Sequence, residues 1–83
     1  MNTRIENAEI EAKSKREDDL YNRLELEATY HAGHPYPLME LLLDGKRLSR
    51  YAGPQVNMVL IEGADKTYEV IYGWQQDIKV REL

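Results

Sequence analysis

Apolar residues recur with different periods in the two halves of the chain. Leu20, Leu24, Ala28 and His31 follow one another at helical spacing, with Tyr21 and Glu27 beside them. Such a stripe predicts a helix. Residues 1–32 contain no Pro or Gly and are rich in Glu, Ala, Lys, Arg and Leu, all good helix formers. Gly33 and Pro35 then supply a natural stop. Two starts compete. Thr3-Arg4-Ile5-Glu6 and Ser14-Lys15-Arg16-Glu17 both place Glu three residues after a hydroxyl, as a capping box does. Asp18 and Asp19 follow the second, where the helix dipole favours carboxylates. Ile5, Ala8 and Ala12 share a face, but Lys13–Asp19 is seven polar residues in succession and has nothing to pack against a core. The predicted element is one helix over about residues 3–31 with an exposed middle, and a break near Ser14 is the alternative.

Beyond it, residues 33–83 hold all five Gly and all three Pro, and their apolar residues alternate. His34-Pro35-Tyr36-Pro37 begins extended, because residues before proline avoid the helical region. Leu43-Asp44-Gly45-Lys46 is the strongest turn signal, Asp-Gly suiting a two-residue hairpin. That turn sets Leu41 opposite Leu48 and Leu38 opposite Tyr51. A short helix over Pro37–Leu43 ended by Gly45 competes with it. Val56–Ile61 and Thr67–Tyr72, joined through Gly63-Ala64-Asp65-Lys66, form a second hairpin. Its alternation puts Val56, Met58 and Leu60 on one face, and Tyr68, Val70 and Tyr72 on one face of the partner strand. Asp77–Leu83 adds a last strand in which Ile78 and Val80 alternate with Lys79 and Arg81. The expected fold is α+β, one domain over residues 1–83. A helical segment, 1–32, packs on an antiparallel β-meander of three to five strands within 33–83.

Composition narrows the kinds of work available. Eighty-three residues make one domain, which buries only about 60–65% of its unfolded surface and has a stability of about 4–12 kcal/mol. The chain has no Cys, which excludes a disulfide scaffold, a Cys-ligated zinc and a catalytic thiol. Eleven Lys and Arg against 15 Asp and Glu give a net charge of −4, without the basic excess of a dedicated nucleic-acid binder. The longest apolar runs, Leu41–Leu43 and Met58–Ile61, fall far short of the ~20 residues that cross a bilayer, so no membrane partner is expected. Met1–Glu6 shows no secretory signal, and Arg81-Glu82-Leu83 matches no organelle address. With no cysteines, these features favour the cytoplasm.

No reactive constellation emerges. His31 and His34 have no further ligand beside them and no HExxH, and read as imidazoles near a helix end rather than a zinc pair. Consecutive Glu17, Asp18 and Asp19 point in different directions on a helix, whereas metal-binding or acid–base groups must converge. Ser14 and Ser49 sit in no G-x-S-x-G, and Gly45-Lys46 in no phosphate loop. Neither enzymatic activity, nor a metal, nor a cofactor is expected.

Adhesion is left. Six Tyr and one Trp but no Phe give every aromatic a polar handle, as suits surfaces half apolar and half wet. Tyr36, Tyr51, Tyr72 and Trp74 are the candidate anchors for a protein partner, with Glu17, Asp18 and Asp19 (and the upstream Glu6, Glu9 and Glu11) for electrostatic steering. The expected function is a non-enzymatic module that binds a larger protein stoichiometrically, including one that handles nucleic acid. Small acidic cysteine-free chains of this kind are similar in size and charge to inhibitors and adaptors of phages and mobile elements, anti-CRISPR-type proteins among them. The alternative is a small nucleic-acid-binding protein. It uses Lys46, Arg47 and Arg50 on a hairpin for phosphates and Tyr51 for stacking, with a homodimer doubling the patch.

Overall fold

A computed structural model describes residues 3–83, with side chains from Asn7 onward. Helix α1 runs unbroken over Thr3–Arg23. No break occurs at Ser14, and the Thr3–Glu6 capping box lies outside the described side chains. Every residue from Asn7 to Lys15 is exposed, so this part of α1 stands clear of the core. Glu9 with Lys13 and Glu11 with Lys15 are spaced four apart with the acid first, the favourable order, each pair adding about 0.2–0.5 kcal/mol.

Anchoring begins at Arg16. Its guanidinium grips the Glu82 carboxylate in a fork, with Nε donating at 2.6 Å and Nη2 at 2.8 Å. Glu17 Oε2 accepts from the Glu82 backbone N–H at 2.8 Å, and Leu20, 2% exposed, enters the core. The Arg16 hydrogen bond outweighs desolvation and holds the Glu82 carboxyl at about 2, against its usual 4.5. The folded value lies below the unfolded one, so this clasp contributes fully above pH 4.5 and is lost as pH falls toward 2. Thermal midpoints followed by circular dichroism should drop through that window, and the slope should flatten in Glu82→Gln.

The helix stops at Arg23 and not near residue 31. Leu24–Thr29, expected as helix, is strand β1. It pairs antiparallel with β2, Leu38–Leu43, from Leu24 opposite Leu43 to Thr29 opposite Leu38. Leu24, Leu26 and Ala28 share the face of buried Met39 and Leu41, while Glu25 and Glu27 face outward. Burial of one face against β2 overrides the helix propensity of Glu, Leu and Ala. The segment 1–32 is therefore helix plus strand, and Gly33 and Pro35 belong to the β1–β2 connection rather than to a helix end.

Asp44-Gly45 makes the expected two-residue turn. Both residues have positive φ, 51° and 82°, as a primed hairpin turn requires. Of Pro37–Leu43, expected as strand or short helix, Leu38–Leu43 is accordingly strand. The register with β3, Lys46–Tyr51, departs from expectation: Leu43 faces Lys46 and Leu42 faces Arg47, but a bulge puts Leu41 opposite Ser49 and Met39 opposite Tyr51. Leu48 is the extra residue.

The second sheet is β4 (Val56–Glu62), β5 (Lys66–Tyr72) and β6 (Lys79–Glu82), in that order. Val56, Met58 and Leu60 face Tyr72, Val70 and Tyr68, and Val80 faces Val70, as the alternation implies. Six strands form, one more than the upper expectation, because β1 comes from the helical-looking segment. The two sheets share one core: Leu20 from α1, Leu24, Met39 and Leu41 from the first sheet, and Tyr68, Val70 and Tyr72 from the second. Helix α1 packs against β6 and the start of β1. The radius of gyration is 15.4 Å and the long axis 58 Å, against a radius of roughly 12 Å for a compact chain of this length. Helix α1 is about 31 Å from end to end, and its part that stands clear of the core contributes to the elongation.

Candidate protein-binding surface

Strand register sorts the connections to two ends of the sandwich. The Asp44-Gly45 and Gly63–Asp65 turns lie at the end where Arg23 pairs with both Asp44 and Glu62. At the other end are the connections β1–β2, β3–β4 and β5–β6. Two of these loops carry Tyr36 and Trp74, and Tyr51 ends β3 at the start of the β3–β4 connection.

Tyr36, on the β1–β2 loop, is half-buried and meets Trp74 of the β5–β6 loop edge-to-face, with ring centroids 5.7 Å apart at 79°. Trp74 N–H donates to the Gly53 carbonyl at 3.4 Å, and the Gln76 side chain donates to the Pro54 carbonyl. The β3–β4 connection is thereby tied to the β5–β6 loop. Tyr51 closes over Gly53, where an added Cβ would lie 2.6–2.8 Å from its ring atoms. Tyr36, Tyr51 and Trp74 each pack partly on the core or on each other and leave part of the ring in solvent. Half-buried rings with polar handles are pre-positioned, so little rotamer freedom is lost on contact.

The other expected anchors fall elsewhere. Tyr72 is fully buried, with its hydroxyl 2.6 Å from Ser49 Oγ across the two sheets. It offers nothing to a partner. Glu17 is engaged with the Glu82 backbone. Asp18 and Asp19 are exposed on α1, which meets the β5–β6 loop where the Tyr21 hydroxyl donates to the Asp77 carboxylate at 2.7 Å.

The basic alternative is split. Arg47 and Arg50 lie on the outer face of β3 and share the Glu40 carboxylate, at 3.3 and 3.8 Å. Tyr51 pairs with buried Met39 and belongs to the opposite face. Lys46 adjoins the Asp44-Gly45 turn at the far end. Phosphate contacts and a stacking ring therefore do not converge.

Of three further residues at the loop end, Tyr30 was not singled out in the sequence, and His31 and His34 were expected at a helix end. Tyr30 is 75% exposed, and His31 and His34 are exposed with rings edge-to-face at 5.7 Å. They lie in the β1–β2 loop and not at a helix terminus. The alternation of Leu24, Leu26 and Ala28 was the signal that could have placed them there. Among the described residues no group of three or more His, Cys, Asp or Glu could hold a metal ion, and no helix is long and apolar enough to cross a membrane. No protein-family model, curated protein or solved structure matches the chain.

Proposed function

We propose that the protein is a non-enzymatic binding module that docks on a larger protein through Tyr36, Tyr51 and Trp74. It acts stoichiometrically, as an inhibitor or adaptor in the cytoplasm, on partners that include nucleic-acid-handling proteins. The observation that carries this reading is the convergence of those rings, from two connections and the end of β3, on one end of the sandwich. Tyr and Trp at the centre of an interface supply most of its binding energy. Opposed to a nucleic-acid role is the shared Glu40 carboxylate, which already answers Arg47 and Arg50.

Capture from nuclease-treated native lysate tests it. The immobilised protein should retain a specific protein, and Trp74→Ala or Tyr36→Ala should weaken that complex by at least about thirtyfold, the loss expected of a 2 kcal/mol anchor. Arg47→Glu with Arg50→Glu should leave it intact. Capture of nucleic acid alone, lost on the double charge reversal, overturns the reading.

A further inference from the structure

The four sheet edges are not alike. β1 carries Glu25 and Glu27, and β3 carries Lys46, Arg47 and Arg50. β6 carries Lys79, Arg81 and Glu82 and lies against α1. β4 differs from all of them: Val56–Ile61 is six residues without a charge. Among the described residues its backbone bonds only to β5. On its outer face Val59 and Ile61 are 61% and 71% exposed. An edge with no charge, proline, bulge or covering element is a template for another strand.

We propose that β4 pairs antiparallel with β4 of a second copy of this chain, about a two-fold axis through Val59. The charges select both the edge and the occupant. In an isologous sheet continued across a two-fold axis, outward residues meet outward residues. Self-pairing of β1 centred on Leu26 or Glu27 then sets Glu25 against Glu27 or Glu27 against its own copy, and self-pairing of β3 sets Arg47 against Arg50. Like charges directly opposed are destabilising. Full-length self-pairing of β4 sets Val59 against Val59, Asn57 against Ile61 and Met58 against Leu60. Val56 meets Glu62, whose carboxylate is already held by Arg23. No like charges meet. The product is a continuous sheet of order β6-β5-β4-β4-β5-β6 in which Val59 is flanked by its own copy and Ile61 by Asn57 of the second copy. One pair of seven-residue strands lies at the small end of specific interfaces, below about 1,200 Å², so the dimer is reversible and concentration-dependent. It makes no use of the aromatic loops.

A cysteine-free chain allows a geometric test. On the axis the two Val59 Cα atoms come within about 4.5–5.5 Å, inside disulfide range. The two Ile61 Cα atoms are offset by four residues along the strands, roughly 14 Å, beyond the ~7 Å limit for bridging. Under mild oxidation V59C should become a covalent dimer and I61C should stay monomeric. Both positions are solvent-exposed, and far-UV circular dichroism checks that each variant is folded. In the wild type, sedimentation should show a mass rising with concentration, and exchange of the Val56–Glu62 amides should slow in parallel. Equal cross-linking of the two variants, faster cross-linking of I61C, or no cross-linking overturns the proposal. So does a wild type that stays monomeric at every concentration, which would leave the edge to a strand from another protein.

Discussion

Tyr72→Ala is expected to be the most destabilising single truncation in the core, removing about 3–5 kcal/mol from a total of about 4–12 kcal/mol. Among the described residues Tyr72 is the largest fully buried side chain, in a core of seven buried hydrophobic residues. Its ring fills the space between the sheets, and its hydroxyl joins Ser49 of β3 to β5. Truncation leaves a cavity that strands tethered by hairpins cannot collapse to fill, and it strands the Ser49 hydroxyl. Tyr72→Phe keeps the ring and should cost about 0.5–1.5 kcal/mol, the net worth of one hydrogen bond. Urea titration at low temperature separates the two variants. If Tyr72→Ala unfolds cooperatively within 1 kcal/mol of wild type, the sandwich core is not what holds the protein together.

Gly73→Ala is the second severe substitution, and its cause is the backbone. A Cβ at Gly73 would lie 2.1 Å from the Pro54 carbonyl oxygen and 2.7 Å from its carbon. Both obstructing atoms are main chain, so the β3–β4 connection itself must move. The displaced segment is the one that accepts from Trp74 N–H and from Gln76, so the loop end should loosen with it. A loss of at least about 2–3 kcal/mol is expected, at the upper end for an overpacked site, together with a red-shifted Trp74 emission. Gly53→Ala is the control. There the close atoms belong to the outer end of the Tyr51 ring, which can swing aside, so the cost should be clearly smaller.

Local signals were legible in the sequence wherever one interaction dominates. Asp44-Gly45 announced its turn because few other dipeptides tolerate positive φ twice in succession. The Val56–Tyr72 hairpin announced its faces because strict alternation leaves a strand only one way to bury itself. Leu24–Thr29 misled because the same letters satisfy two periods. Leu20, Leu24 and Ala28 fit a helix, while Leu24, Leu26 and Ala28 fit a strand, and no Gly or Pro separates Arg23 from Leu24. Only the apolar face of β2 decides, and that partner lies on the far side of the Gly33–Pro37 loop. The bulge at Leu48 left no mark either, since the Asp-Gly turn fixes the register only for its nearest pairs. For the candidate surface, rings at Tyr36, Tyr51 and Trp74 were rightly grouped with the β half. Tyr72 carried its own warning, for it shares a face with Tyr68 and Val70, and that face proved to be the inner one.

The Arg16–Glu82 clasp has a consequence for the order of assembly. Every ladder joins strands adjacent in sequence, so each sheet can zip from its own turn at small entropic cost. Docking α1 on β6 instead closes a loop spanning 66 positions, the longest closure in the fold, and its entropy weighs against early formation. During synthesis Leu20 emerges well before β6 exists to shelter it and must wait, uncovered, for the far end of the polypeptide. The seam between the first and last elements is then the final one to seal on the ribosome and the first to part under heat or acid.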